Sequence, residues 1–510
     1  MKFGIGQPVR RMEDRRFVTG HGCYVDDLKL EGALHLAVVR SPVAHGRIRR
    51  IDTSAAREVP GVVLVVTAAE MDPEGRMHLP CLIPLKNRDG SKRADPRRPV
   101  LARDRVRHVG EAVAFVVAET RAAAQDAAEA VAVDVEELPP VVDPATADAA
   151  DVRIHDEAPG NIAFDWHIGD EEAVEEAFAR AARIVRLELA NNRLTPNPME
   201  PRAAAAQPEP DGRLTVYLPT QGVWTPRQII ADLLGLPREK VRVKTPDVGG
   251  GFGTKIFVYP EYVMVAWAAL RLGRPVRWTA TRTEAMLTDA HGRDHRTVAE
   301  LAFDEDARML AYRVRVRANL GAYLSQFGPY IPTGAASKVL PGVYRIPAVS
   351  YGVLGVFTNT APVDAYRGAG RPESIYCLER LVDVAAREMG LSPDEIRRRN
   401  MIAPEEMPYR TAVGEIYDSG AFVRLMEACM ERADWAGFSQ RREEAKARGR
   451  LRGIGLAYYI EATMGDPTEG ARVRFLDDGT VAVVVGTQST GQGHETAFAQ
   501  VLHERLGVPI

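Results

Sequence analysis

The chain has 510 residues, enough for three to four domains of about 150 residues each. It is 45% hydrophobic and 26% charged, a composition that excludes disorder and collagen-like repeats. With 66 Lys and Arg against 69 Asp and Glu, the net charge is −3, so neither a basic field for nucleic acid nor an acidic tail is present.

Residues 1–20 are basic and loop-like, with Arg10, Arg11, Arg15 and Arg16 among polar neighbours. Apolar runs at 62–66, 112–117 and 131–135 predict strands, and the alanine-rich Arg121–Ala130 predicts a helix. Three prolines between 138 and 144 break regular structure and place a boundary near 145–160. Beyond it, 171–184 predicts an amphipathic helix, and 214–218 and Val241–Lys244 predict strands. The segment 226–234 predicts a helix opening on proline and stopped by Gly235. The clearest helix is Pro260–Leu272, with proline at its start and Gly273 just past its end. Two helices are expected in 373–400, broken at 390–393, and a helical segment over 421–449. Strands at 454–460, Ala471–Phe475 and Val481–Val485 and a helix over 495–506 complete an α+β pattern.

No apolar run reaches the ~18 residues needed to cross a bilayer, and the start lacks a signal-type stretch. The four cysteines, Cys23, Cys81, Cys377 and Cys429, form no CxxC pair. That argues against a zinc ribbon or an iron–sulfur cluster held by this chain, and suits a reducing cytoplasm.

Three glycine-rich segments carry the candidate chemistry. The first, Asp247-Val-Gly-Gly-Gly-Phe-Gly-Thr-Lys255, lets backbone approach a ligand and aim N–H groups at an anion. It fails both the Walker and the dinucleotide spacings, and a tight strand-to-helix turn is the plain alternative. The second, Asp364-Ala-Tyr-Arg-Gly-Ala-Gly-Arg-Pro-Glu373, flanks Gly-Ala-Gly with Arg367 and Arg371, which suits oxyanions or a solvated turn equally. The third, 486–496, leads from a strand into a helix N-terminus and adds Gln488, Gln492 and His494 to its backbone donors. His291 and His295 stand four apart without the glutamate of a zinc-binding HExxH, and read as a solvated loop; His35 and His45 read as structural. No G-x-S-x-G elbow supports nucleophilic hydrolysis.

Taken together, the ordered loops resemble the molybdenum-cofactor-binding large subunit of the xanthine dehydrogenase, aldehyde oxidase and carbon monoxide dehydrogenase family. The resemblance covers nearly the whole chain. Val18-Thr-Gly-His-Gly-Cys-Tyr-Val-Asp26, Arg40-Ser-Pro-Val-Ala-His-Gly-Arg47 and Val109-Gly-Glu-Ala-Val-Ala114 resemble the family's hammerhead domain. Pro219-Thr-Gln-Gly222, Gly249-Gly-Gly-Phe-Gly253, Ala365-Tyr-Arg-Gly368 and Gly491-Gln-Gly493 follow its cofactor loops in order, and Arg397-Arg-Arg-Asn-Met401 matches a helix end after the arginine loop. The implied architecture is an α/β hammerhead domain at 1–145, a first molybdopterin-binding domain at 150–405 and the start of a second at 415–510.

The resemblance also implies roles. Gln221 would hydrogen-bond the apical oxo ligand of molybdenum. Gly250, Gly251, Phe252 and Gly253 would bring backbone N–H groups to the metal's oxygen and the pterin, and Arg367 would stand near the metal. Gln492 and Gly493 would hold the phosphate side of the pterin. No protein side chain need ligate the metal. Ile256, Gly368 and Ala369 would line the substrate pocket. The copper-binding carbon monoxide enzymes carry cysteine at the position of Gly368, and purine oxidisers carry an acid and a phenylalanine at those of Ile256 and Ala369. Both substrates are therefore disfavoured, and the loop looks like that of the form II proteins, leaving an aldehyde, N-heterocycle or related small molecule.

Implied with these are a molybdopterin cytosine dinucleotide cofactor, a small 2Fe-2S subunit, a medium FAD subunit and a dimer of heteromers in the cytoplasm. The family's base glutamate lies beyond the third loop, past Ile510, so a companion chain or a longer polypeptide is expected to supply it. Glu200, Glu261 and Glu373 each have a structural reason to be where they are. A catalytically silent cofactor-binding or assembly component is the alternative reading.

Overall fold

The structure, a computed structural model, describes residues 3–463, 465 and 468–509. One sheet has seven strands, in the order Val241–Lys244, Leu214–Tyr217, Ala203–Pro208, Val276–Thr279, Leu34–Arg40, Ala112–Ala118 and Val62–Thr67. Its centre is the parallel pairing of Leu34 with Val276 and His35 with Arg277. Strands from both sides of the proline-rich segment 138–144 thus share a single sheet. Every residue of Ala112–Ala118 is buried, as an unbroken apolar run requires of a strand covered on both faces.

Helix Pro260–Leu272 packs across strand Ala203–Pro208. Ala203 to Ala206 are at most 1% exposed. Ala204 and Ala206 share a core with Tyr262, Val263, Met264, Val265 and Ala266 of the helix, while Ala203 and Ala205 pack with Val25 on the opposite face. Burial of each large apolar side chain contributes about 1.5–3 kcal/mol. Pro260 opens the helix and Gly273, at φ 63°, closes it in left-handed backbone.

A second sheet has five strands, in the order Arg183–Asn191, His295–Phe303, Met309–Asn319, Ala348–Val356 and Ile162–Gly169. Helix Arg371–Glu388 lies against its first two strands. Smaller elements include the sheet of Arg105–Val106, Gly46–Asp52 and Ala132–Glu137 and the antiparallel pair Ala471–Phe475 and Val481–Val485.

Four expectations are corrected. The helix predicted over 171–184 ends at Ala179, because Arg183–Asn191 is a strand paired along His295–Phe303. Val185, Leu187 and Leu189 turn inward while Arg186 and Glu188 are exposed, and this two-residue alternation overrides helical propensity. The segment 421–449 divides into helices Phe422–Arg432 and Phe438–Ala447, with Asp434 at φ 46° between them. The predicted strand 454–460 forms no regular element and joins no sheet; the Tyr458 N–H donates instead to Glu379 Oε2 at 2.8 Å. His291 and His295 do not stand in a solvated loop: His295 is buried at the start of a strand and His291 is half-buried.

Candidate functional site

The first glycine loop lies between strand Val241–Lys244 and helix Pro260–Leu272. Gly250 and Gly253 have φ of 92° and 106°, and Phe252 shares left-handed backbone at 55°. Close approach as well as φ demands glycine here. A Cβ on Gly251 would lie 2.5 Å from Gln221 Oε1, and one on Gly253 would lie 2.4 Å from the Ala365 carbonyl oxygen. Gln221 Oε1 accepts from the Gly253 N–H at 2.9 Å, which fixes the side chain and leaves its NH₂ group to donate. Among the described residues, the N–H groups of Gly250, Gly251 and Phe252 and the Gln221 Nε2 have no acceptor.

Behind this loop Lys255 is fully buried and pairs with Glu200 Oε2 at 2.8 Å, which also accepts from the Gly249 N–H at 2.8 Å. Burial lowers the Lys255 pKa, against the pull of Glu200. This lysine braces the loop and does not reach toward a ligand.

The second loop runs from Asp364 into helix Arg371–Glu388. Asp364 is buried and accepts from the N–H groups of Phe327 at 2.9 Å and Ala365 at 2.7 Å. Burial pushes its carboxyl up to about 6 despite these bonds. Gly368 and Gly370 have positive φ, as does Ala369 at 47°. The Arg367 side chain is exposed, and among the described residues no carboxylate pairs with it.

In the third loop, Gln492 folds back, its Oε1 accepting from the Thr490 N–H at 2.5 Å. Gln488 Nε2 donates to the Thr220 carbonyl at 2.6 Å, tying this loop to the Gln221 turn. Gly493, at φ 79°, caps helix His494–Leu506.

All three loops open on a cleft of about 1240 Å³. Of the residues singled out in the sequence, Gln221, Gly250, Gly251, Phe252, Gly253, Ile256, Arg367, Gly368, Ala369 and Gln492 line it. Gly493 stands one residue outside, at the helix cap.

The N-terminal arm forms a wall that sequence reasoning did not assign. Arg11, Glu13, Arg16, Phe17, Cys23 and Tyr24 line the cleft. Arg16 pairs with Asp247 at 2.7 Å and Glu495 at 3.1 Å, clipping the first loop to the helix of the third. Glu13 accepts from the Thr496 hydroxyl, and the Met12 N–H donates to the same Oγ1 at 2.8 Å. A carboxylate of the chain itself therefore occupies the helix N-terminus that the sequence marked as an anion site. The usable signal was the mixture of Arg11, Glu13 and Arg16 in a basic start, together with Asp247 immediately before the glycines.

None of the three candidate carboxylates stands free. Glu200 is held by Lys255, and Glu373 pairs with Arg293 at 3.1 Å. Glu261 is gripped by Arg40 at 2.8 Å and Arg202 at 2.9 Å, and Arg202 also pairs with Asp289 and lies 3.8 Å over the Tyr259 ring. Burial alone would raise the Glu261 pKa, but the two arginines outweigh it and hold the carboxyl at about 2.

The unpaired N–H groups, the amide and the guanidinium together fit an anionic, oxygen-rich ligand. Comparison with known proteins agrees. Residues 154–401 and 428–510 match the molybdopterin cofactor-binding domain families, and 19–139 matches the aldehyde oxidase and xanthine dehydrogenase a/b hammerhead domain. The chain is 36% identical to the carbon monoxide dehydrogenase large chain of Hydrogenophaga pseudoflava, over 98% of this chain and 64% of that one. It is 37% identical to the 6-hydroxypseudooxynicotine dehydrogenase complex subunit gamma of Paenarthrobacter nicotinovorans, over 99% of this chain and 64% of that one. The solved quinoline 2-oxidoreductase of Pseudomonas putida 86 superposes with a TM-score of 0.92 at 37% identity, over 99% of this chain and 65% of that one. The chain therefore spans about 64% of the length of the relatives it matches. It belongs to the molybdopterin-binding large-subunit family that includes the carbon monoxide dehydrogenases, xanthine dehydrogenases and aldehyde oxidoreductases.

Proposed function

We propose that the chain is the cofactor-binding part of a molybdenum hydroxylase that oxidises a small organic substrate with water as oxygen donor. One observation carries this reading: donors from three separate loops, namely the Gln221 amide, the free N–H groups at Gly250 to Phe252 and the Arg367 guanidinium, converge on one cleft. When bound, the molybdenum centre would supply the two-electron redox chemistry. The chain's own residues bind and orient. Gln221 is fixed through its oxygen so that its nitrogen donates. The glycine loop presents preorganised N–H dipoles, and Arg367 supplies positive charge beside them. Gln492 and Gly493 would hold the phosphate side of a molybdopterin cytosine dinucleotide.

Ile256, Gly368 and Ala369 would face the substrate, and their small or apolar character favours an aldehyde or N-heterocycle. A cysteine at 368 has no room, since a Cβ there would lie 2.1 Å from the Pro372 ring. That argues against a copper site in this pocket.

The ion pairs of Glu200, Glu261 and Glu373 argue against a role for any of these three as the base. Electrons would leave through 2Fe-2S and FAD groups on small and medium partner subunits in a cytoplasmic complex, a dimer of such heteromers. The test is the metal and pterin content of the protein purified with its partners. Near-stoichiometric molybdenum and pterin, lost on Gln221→Ala with Arg367→Ala, supports the reading. A fully assembled complex free of both overturns it.

A further inference from the structure

The turn behind the second loop is unusually constrained. Arg293 and Asp294 are consecutive residues in left-handed backbone, at φ 68° and 66°, a conformation disfavoured for any residue with a Cβ. Gly292 lies directly beneath Tyr366, where a Cβ would sit 2.4 Å from that of the tyrosine. The backbone is tied on both sides: the His291 N–H donates to the Pro362 carbonyl at 3.0 Å, and the Asp364 N–H to the His291 carbonyl at 2.8 Å.

From this turn the Arg293 side chain, 8% exposed, reaches the second loop from below. Its Nη1 donates to the Tyr366 carbonyl at 3.1 Å and to Glu373 Oε1 at 3.1 Å, and its Nη2 donates to the Arg367 carbonyl at 2.9 Å. The guanidinium also stands 4.7 Å from the centre of the Tyr366 ring. Arg293 lies outside the lining of the cleft, whereas Arg367, whose carbonyl it holds, lines it. A guanidinium fork can hold two adjacent carbonyls and a carboxylate at once; an ammonium is a single point of charge on a flexible stem.

We infer that Arg293 is a positioning residue, which sets the Tyr366 and Arg367 carbonyls and thereby fixes where the Arg367 guanidinium stands in the cleft. The inference rests on the proposal that Arg367 faces the bound cofactor. Its strained backbone and its three acceptors belong together, because it is this turn that delivers the fork to both carbonyls.

The test compares Arg293→Met, Arg293→Lys and Glu373→Gln in the full chain, by hydrogen exchange over 364–371 and, in the assembled enzyme, by turnover per bound molybdenum. Loss of both carbonyl bonds should speed exchange over 364–371 by about tenfold or more in Arg293→Met. Arg293→Lys should fall between that variant and the native chain, while Glu373→Gln, which keeps the carbonyl bonds, should stay within about twofold. In the assembled enzyme Arg293→Lys should lower kcat about tenfold with KM nearly unchanged. If Arg293→Met does not fold, Arg293→Lys carries the comparison alone. Native-like exchange and native kcat in Arg293→Lys, or equal exchange in Glu373→Gln and Arg293→Met, would overturn the inference. The exchange measurement needs no cofactor. A complex found empty of molybdenum and pterin would thus defeat the cofactor reading while leaving the hold of Arg293 on the loop separately decided.

Discussion

The N–H of Arg367 donates to the carbonyl of Phe252 at 2.9 Å, so the second loop hangs from the apex of the first. Gly253 packs beneath Ala365 too tightly for any side chain between them. The two loops are placed as a unit, the first holding the Gln221 amide through the Gly253 N–H and the second carrying Arg367.

If these groups stabilise charge on a bound centre, Gln221→Ala and Arg367→Ala should each lower turnover per bound molybdenum by about 10²–10³. Stability should change by less than about 0.5 kcal/mol for Arg367→Ala, because its side chain is exposed and has no ion pair among the described residues. Turnover and thermal melting of the two variants check this. Full turnover in both, at normal molybdenum content, would refute the assignment of the loops.

Gly368 tests the loop in a different way. It has φ 95°, and a Cβ there would lie 2.1 Å from Pro372 Cγ and 2.5 Å from Cδ. The proline ring is part of the first turn of helix Arg371–Glu388 and cannot swing aside. Gly368→Ala should therefore cost about 1–3 kcal/mol through backbone strain and collision. Denaturant unfolding measures it. A loss below about 0.5 kcal/mol would mean that the loop readily adopts another path.

Much of this was legible in the sequence because it is local. Proline and glycine punctuation gave helix Pro260–Leu272 its residue limits, and the order of Gln221, Phe252, Arg367 and Gln492 pointed to the cleft. What was not legible depends on long-range pairing. The helix expected to run on to Ile184 stops at Ala179, and Arg183 and Ile184 instead open a strand that only the distant His295–Phe303 pairs. The pairing of Leu34 with Val276 spans most of two predicted domains and leaves no local mark. Arg16 and Asp247 are far apart in sequence, and neither carries a motif that announces the other. Arg293 was passed over because its neighbours looked like a histidine-bearing surface loop, whereas its acceptors are backbone carbonyls of a distant turn.

The clip formed by Arg16 is partly open to solvent, with its side chain 34% exposed, so its Coulombic contribution is screened. Arg16→Ala should cost about 1 kcal/mol at low salt. The difference from the native chain should narrow at about 1 M salt, where the screening length falls to about 3 Å. Hydrogen exchange over 486–496 should rise, since Arg16 and Glu13 hold that loop to the body. Melting at two salt concentrations is the direct measurement. A difference that does not respond to salt would assign the effect of Arg16 to packing on Phe17, whose ring lies 4.7 Å away.

His291 gives the fold a pH dependence whose sign follows from its hydrogen bonds. Its Nδ1 accepts from Arg193 Nη1 at 3.0 Å and its Nε2 donates to the Met286 carbonyl at 3.0 Å, an arrangement that suits only the neutral ring. Burial, with Arg193 adding to it, lowers the imidazole from its ordinary 6.5 to about 4. Between these values the unfolded chain binds more protons than the folded one, so stability rises with pH across the window. The contribution is complete above 6.5 and is lost as pH falls toward 4, by at most about 3 kcal/mol at 1.36 kcal/mol per unit. His155, lowered to about 3 by burial and Arg107, acts in the same direction. In His291→Asn an amide oxygen can still accept from Arg193 but does not titrate. The loss of unfolding free energy between about pH 7 and pH 4.5 should therefore shrink by about 1–3 kcal/mol, with the share of His155 remaining. Urea titrations of both proteins at the two pH values measure it. An unchanged pH slope in the variant would show that His291 is protonated in the folded chain and that the Arg193 contact does not constrain it.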